Sequence, residues 1–489
     1  MGNQPVILWF RRDLRLADNP AVDAAVRSRC PVIPVFVLDQ RHDHCWDNGG
    51  ASRWWLHGSL KALNDGLGEL GGQLILRRGD STRELEALVE ESGAGHLLFS
   101  RLPGSGSRRL ERELEQRLAG RVELQSYPGH SLHEPGSVRT VAGEPYEIFT
   151  PFWRACRALP DPAEPLAAPQ TMKFCGRPTR SEELADWALT PSSPDWAGGL
   201  RESWSPGEQS ALAHTREFLD VIRNYAGDHD RPDREGTSRL SPHLHFGEVS
   251  VRQLWHDLHR FCDARENGPA AFLRQLYWRE FSLHLLHAFP QLPREPLREE
   301  FENFPWERDA AHYEDWQRGM TGYPIVDAGM RELWHTGWMH NRVRMVAASL
   351  LVKHLLIPWQ DGAAWFQDTL VDADEANNSA NWQWVAGCGS DAAPYFPIFN
   401  PVIQGRKLDP DGHYTRRWLP ELARLDAKWL HAPWQAPDDA LRRAGVTLGR
   451  DYPPPIVEHR AARERALAAF RRIRSSRPSR GVSTTGAGL

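Results

Sequence analysis

The chain has 489 residues, 40% hydrophobic and 25% charged, with 59 Lys+Arg against 64 Asp+Glu for a formal charge of −5. Such proportions belong to a globular protein of roughly two or three domains and exclude collagen-like, coiled-coil and wholly disordered chains. Near-balanced charge also excludes histone-like binding of nucleic acid over the whole surface, but leaves room for a local basic groove. Cys30, Cys45, Cys156, Cys175, Cys262 and Cys388 stand far apart without a CxxC pair, which points to a reducing, cytoplasmic setting rather than a disulfide scaffold or a zinc ribbon. No apolar run approaches the ~18 residues needed to span a bilayer, and the start MGNQPVILWFRRDLR is wrongly flanked for a secretory signal. The 21 tryptophans against nine tyrosines ask for an explanation, because indole is the most easily oxidised aromatic side chain.

From Val6 to about Tyr127, short apolar runs (VILWF, VIPVFVLD, LILRRG, HLLFS, VELQSY) alternate with amphipathic helical patterns. This is the signature of a mostly parallel sheet with helices on both faces, a Rossmann-like α/β domain over residues 1–130. Ligands of such sheets sit at the carboxyl ends of the strands. The dinucleotide fingerprint is missing: Gly104-Ser-Gly106 follows the fourth strand with Arg109 in place of a third glycine, and reads as a flexible loop. Recurrent prolines and glycines make 131–206 an interdomain connection. From Gly207 the apolar period is 3.6, so 207–470 is an all-helical domain. Residues 471–489, basic and then poor in apolar side chains, read as a disordered tail.

Three segments combine polar and aromatic residues. Gly236-Thr-Ser-Arg-Leu-Ser-Pro242 places hydroxyls beside the amides of a helix start, which suits a phosphate and equally suits ordinary capping. GWMHNRVRM puts Asn341 and Arg344 on one helical face, with Arg342 pointing elsewhere. DADEANNSANWQW carries Asp372 and Asp374, able to meet a divalent metal or a ribose, or simply to form a turn. His42, His44 and Cys45 lack a fourth ligand at regular spacing, so no metal site is expected there.

The strings LWFRRDLRLADNPA, GASRWWLHGSL, GTSRLSPHLHFGE, LYWREF, TGYPIVDAGM, TGWMHNRVRM, NNSANWQWVAGCGSDAAPYF and FNPVIQGRKLDPDG, in this order, resemble the cryptochrome/photolyase flavoproteins. The resemblance runs from residue 5 to about 430. Within that family it points toward the bacterial members that repair cyclobutane pyrimidine dimers. It implies an α/β domain followed by a helical FAD-binding domain, in agreement with the periodicity.

The resemblance also implies roles. FAD would bind in a folded shape, its phosphates against Tyr225 and the run Thr237, Ser238, Arg239, Leu240 and Ser241, its ribose and ring edge near Asp372, Ala373 and Asp374. Phe272, Arg279, Trp338 and Asn341 would complete the cofactor contacts, and Arg344 would pair with Asp372 beside the ring system. Asn378 matches the residue facing the central flavin nitrogen; plant cryptochromes carry Asp there, and a neutral amide favours repair. Trp382, Trp359 and Trp306 match an electron-transfer chain that reduces photoexcited flavin from the surface. Trp278 and Trp384 match the walls of the pocket that receives a flipped-out dimer, and Met345 and Asn341 favour cyclobutane dimers over six-four products. Gln275, Arg342, Gln404, Arg406 and Lys407 would meet the dimer or the DNA backbone.

The implied activity is light-driven carbon–carbon bond cleavage in UV-damaged DNA by a monomeric enzyme. A cryptochrome-like blue-light receptor is the alternative. Several positions depart from the family pattern. Gln275 replaces a Glu, Pro397 and His229 each replace an Arg, and Asn381 replaces a Gly where a left-handed backbone is expected. Pro103 and Gly104 stand where relatives with a folate antenna carry an aromatic residue and Glu, so a folate-type second chromophore has no support at that place.

Overall fold

The structure, a computed structural model, describes residues 4–39, 49–176, 179–391 and 396–475. The His42, His44, Cys45 motif and the tail from residue 476 lie outside the described residues, as does part of the string around Tyr395.

Five strands, β1 (Val6–Phe10), β2 (Val32–Asp39), β3 (Ile75–Gly79), β4 (His96–Ser100) and β5 (Glu123–Tyr127), form one sheet in the order β3-β2-β1-β4-β5. Every pairing is parallel, with Val6 opposite both Val32 and His96. Helices Pro20–Arg27, Gly50–Glu69, Ser81–Ser92 and Ser105–Leu118 make the crossovers. β1 is buried on both faces, which is why it reads as an unbroken apolar run rather than an alternation. Successive side chains still diverge: Ile7 and Trp9 enter a core with Leu85, Leu88 and Leu114, while Val6, Leu8 and Phe10 enter another with Trp55, Trp204 and Trp338. The second core contains residues of the helical domain, so one face of the sheet is welded to it.

Two polar clamps complete this junction. Glu248, fully buried, accepts from Trp55 Nε1 at 3.1 Å, from the Gly207 amide at 2.8 Å, and from Ser59 and His243. Arg15, also buried, donates to the carbonyls of Asp18 and Gly247, both at 2.9 Å. Among the described residues, domain contacts take up part of the carboxyl edge of the sheet, and the cavity beside Pro103, Gly104 and Ser107 measures ≈ 20 Å³.

Three local expectations are corrected. Ser105 and Gly106 form the first turn of the helix Ser105–Leu118, capped by Gly104, rather than a flexible loop. The last helix, His459–Ser475, runs five residues past the expected boundary at 470, because Ile473 is still buried and extends its apolar stripe. Asn381 lies inside the helix Glu375–Ala386 and donates to the Asn377 carbonyl at 2.7 Å, so no left-handed backbone is involved. The connection 131–206 carries two short helices, Phe149–Arg157 and Gly198–Ser203, and returns to the sheet through a bridge between Phe174 and Val32.

Candidate functional site

Helices Asn267–Ala288, Asn341–Ser349 and Glu375–Ala386, with the segment before the helix Ser241–Phe246, surround a cavity of ≈ 1780 Å³. Its floor is polar. Asp372 accepts, through one carboxylate oxygen, from Ser241 Oγ at 2.7 Å and Arg344 Nη2 at 2.9 Å. Arg344 is held in turn by the Met339 carbonyl at 2.7 Å. Thr237, Ser238 and Ser241 all line the cavity, with the Ser241 hydroxyl proton already committed to the Asp372 carboxylate. Asp374 caps the helix Glu375–Ala386 through the Asn377 amide and lies 3.6 Å from His245 Nδ1 and 3.9 Å from Arg12. Burial alone would raise the Asp374 carboxyl, but His245, Arg12 and Arg279 together hold it well below the usual carboxylate range.

Arg239 adopts a left-handed backbone (φ 48°), and its guanidinium lies 4.8 Å over Trp338 and 5.5 Å over Trp204. Non-glycine residues in this region are uncommon and gather where a loop is held for a ligand. Leu240 does not line the cavity; its side chain is turned into the core with Phe218 and Phe272. Tyr225, Phe272, Arg279, Trp338, Ala373 and Asn378 all line it. Asn378 is buried and donates Nδ2 to the Ala363 carbonyl at 2.9 Å.

The outer part of the same cavity is aromatic. Trp278 is stacked on Phe149 with centroids 3.6 Å apart and planes 7° from parallel, a rigid platform that neither residue would form alone. Trp384 donates Nε1 to the Asp391 carbonyl at 3.2 Å, which fixes its ring opposite. Gln275, Asn341, Arg342 and Met345 line the rim, while Gln404 and Lys407, on the helix Pro401–Leu408, lie outside the cavity. Arg342, partly exposed, pairs with Asp230 at 2.7 Å.

Trp382 and Trp359 are buried in the helical core and Trp306 is half-buried at its margin, 4.4 Å from Phe304. The ring of Trp382 meets Phe366 at 5.0 Å and Trp316 at 6.2 Å. Sequence reasoning missed Trp316, Phe366, Phe149, Arg12, His245 and Asp230. Arg12 and His245 stand inside strings that carry the family resemblance, so the signal was present; the others become neighbours only through folding.

The wall fits a dinucleotide flavin. Asp372 Oδ1 and His245 Nδ1 are buried without a hydrogen-bond partner, and an unsatisfied buried polar group costs about 1–3 kcal/mol unless an occupant supplies the bond. Arg239, Arg279 and Arg344 line the same chamber and suit phosphates and a polar ring edge.

Comparisons with known proteins agree. Residues 6–170 match the sequence family described as DNA photolyase, and residues 272–472 match the FAD binding domain of DNA photolyase. The deoxyribodipyrimidine photo-lyase of Agrobacterium fabrum is 46% identical, covering 96% of this chain and 98% of its own. Cryptochrome-1 of Arabidopsis thaliana is 39% identical, covering 92% of this chain and 68% of its own. Among solved structures, a bacterial class III photolyase from Agrobacterium tumefaciens superposes with a TM-score of 0.94 at 46% identity, covering 97% of this chain and 99% of that one. A Synechocystis cryptochrome superposes with a TM-score of 0.87 at 28% identity, covering 96% and 100%.

Proposed function

This chain belongs to the DNA photolyase family of FAD-binding proteins, and on that premise we propose that its cavity performs light-dependent repair of cyclobutane pyrimidine dimers in DNA. The observation that carries the reading is the continuity of one chamber, polar at Asp372, Arg344 and Asn378 and aromatic at Trp278 and Trp384. Reduced FAD, when bound, supplies a light-driven loan of one electron to the cyclobutane ring, with no net redox change.

The protein holds and orients. Ser241 and Arg344 fix Asp372, whose second carboxylate oxygen is left for the cofactor. Asn378 is oriented by donation from Nδ2 to the Ala363 carbonyl, and as an amide it presents a neutral group with no acidic proton to give. The Trp278–Phe149 stack and the anchored Trp384 offer faces to a base flipped from the duplex, a manoeuvre shared by photolyases and other enzymes that act on bases. Stacking of this kind is worth about 1–3 kcal/mol per base, and a dimer, which pairs poorly, is cheaper to extrude than an intact base. Trp382, which lines the chamber, with buried Trp359 and half-buried Trp306, would return the flavin to its reduced state; the graded burial of the three supports this reading.

Action as a monomer belongs to the same reading. Among the described residues no helix is long and apolar enough to cross a membrane, and the five described cysteines are free, which supports a reducing cytoplasm. Light signalling is the second reading, favoured by the engagement of Arg342 with an acid rather than an open groove. Illuminating prereduced protein with dimer-containing oligothymidine and following the return of pyrimidine absorbance separates the two: recovery in the light alone supports repair, and its absence rejects it. Trp382→Phe tests the route inward. Photoreduction of oxidised flavin stops while prereduced protein still repairs; equal loss of both removes the role given to Trp382.

A further inference from the structure

The cavity mouth holds a charged pair that the repair chemistry leaves unused. Arg342 donates from Nε and Nη2 to the two carboxylate oxygens of Asp230 at 2.7 and 3.2 Å. Its remaining Nη lies 3.5 Å from Met345 Sδ, so the guanidinium is laid along the wall of the chamber. His229 Nε2 stands 3.2 Å from the same carboxylate, its Nδ1 directed at the Tyr225 carbonyl at 2.7 Å and its ring stacked on Tyr225. Beneath them His340, buried, offers Nδ1 to the main-chain amide of Arg342 at 3.2 Å. The pair itself is wet: Arg342 and Asp230 side chains are 37% and 46% exposed.

We propose that Asp230 is an internal competitor for the DNA phosphate at Arg342, and so sets how tightly and with what salt dependence damaged DNA is held. The inference rests on the repair reading and adds a determinant to it. A guanidinium presents the same planar fork to a carboxylate and to a phosphate, so the two anions contend for one face. An ion pair this exposed is screened by water and salt and yields readily, which lets a phosphate replace the carboxylate. The exchange is nevertheless unlike an ordinary basic contact. A cation that meets phosphate from solution releases counterions from the DNA and steepens the salt dependence of binding. Arg342 instead opens one ion pair to form another, and the carboxylate it abandons needs a cation of its own. Its contact therefore contributes little to the salt slope, whereas Lys407, exposed on the helix Pro401–Leu408, contributes about one unit if it meets a phosphate. Asp230 also stays within reach of the bound backbone as a like charge.

The test compares full-length, FAD-loaded wild type, Asp230→Asn, Arg342→Ala and the double variant, measuring Kd for dimer-containing oligothymidine across a salt series. Asp230→Asn keeps the shape and removes the charge at a half-exposed site; flavin absorbance and thermal melting check that each variant is intact. It is expected to bind about two- to fivefold more tightly at low salt, with a slope steeper by about one unit, and this gain shrinks when Arg342 is absent. Unchanged affinity and slope overturn the inference, as does weaker binding. An equal gain with and without Arg342 also overturns it, because the carboxylate would then act only as a distant charge. Wild type that neither binds nor repairs sinks the repair reading itself, whereas wild type that repairs while Asp230→Asn changes nothing sinks only the competition.

Discussion

The carboxyl edge of the sheet and the chamber among the helices are both rich in buried charge, yet among the described residues only the chamber encloses a large cavity. At the sheet edge Arg11 is met by Glu111, Arg15 by main-chain carbonyls, and Asp18 by Arg252 and Ser250. Among the described residues these charges find partners within the chain, and the cavity beside Pro103 and Gly104 is small. In the helical chamber Asp372 Oδ1 is buried without a hydrogen-bond partner and His245 Nδ1 has only the Asp374 carboxylate at 3.6 Å, beside a large void. The contrast teaches that buried charge marks a ligand site only where the fold leaves its hydrogen bonds unfinished; where they are finished, the same residue types are fasteners.

The contrast can be broken most forcefully at a fastener. Glu248→Ala strands His243, Trp55, Ser59 and the Gly207 amide at once, and is expected to cost about 3–5 kcal/mol in chemical denaturation. A loss below about 1 kcal/mol would deny the junction its role.

Glu280 tests a mixed case. It accepts from the Leu132 and His133 amides, tying the connection to the helical domain, while its Oε1 accepts no hydrogen bond and has only Arg279 Nη1 at 3.6 Å. Burial pushes its carboxyl from 4.5 up to about 7, outweighing Arg279 and the two amides. The folded chain therefore holds this proton more firmly than the unfolded chain does. The stability it contributes is complete below the ordinary carboxylate value and is lost as pH rises through about 7. Glu280→Gln is expected to exceed wild type by about 2–3 kcal/mol at pH ~8 and to match it near pH ~4.5 in melting experiments. His284 and His340, which burial lowers to about 4, act in the opposite sense in both proteins, losing stability as pH falls from 6.5 toward 4.

At the chamber, Asp372→Asn should weaken FAD binding about tenfold, read from flavin fluorescence, while global stability moves by less than about 1 kcal/mol. A large stability loss with unchanged flavin would turn this residue into a fastener. The smallest effect expected is at the rim: Gln275→Glu restores a charge-assisted hydrogen bond and should tighten binding of dimer-containing DNA about three- to tenfold. An unchanged Kd would place Gln275 away from the dimer.

Much of the fold was legible in the chain. All five strands coincide with apolar runs read from the sequence, and the segments of helical period after Gly207 fold as helices. Arg344 and Asp372, paired through motif resemblance, do meet. The pair Arg342–Asp230 was illegible because 112 residues separate its members, and nothing in GWMHNRVRM says that a carboxylate waits across the cavity mouth. Phe149 behind Trp278 was hidden in the same way, in a stretch that its prolines and glycines mark as mere connection.

What the sequence determined by itself was local: which segments turn into strands or helices, and which residue types are available for a flavin and a damaged base. Those follow from side-chain periodicity and backbone sterics, which act over a few residues. Which buried charges became fasteners and which were left open was decided by the tertiary structure. That outcome depends on whether a donor and an acceptor far apart in the chain are brought within about 3 Å with water excluded, a condition that only the packed domains impose.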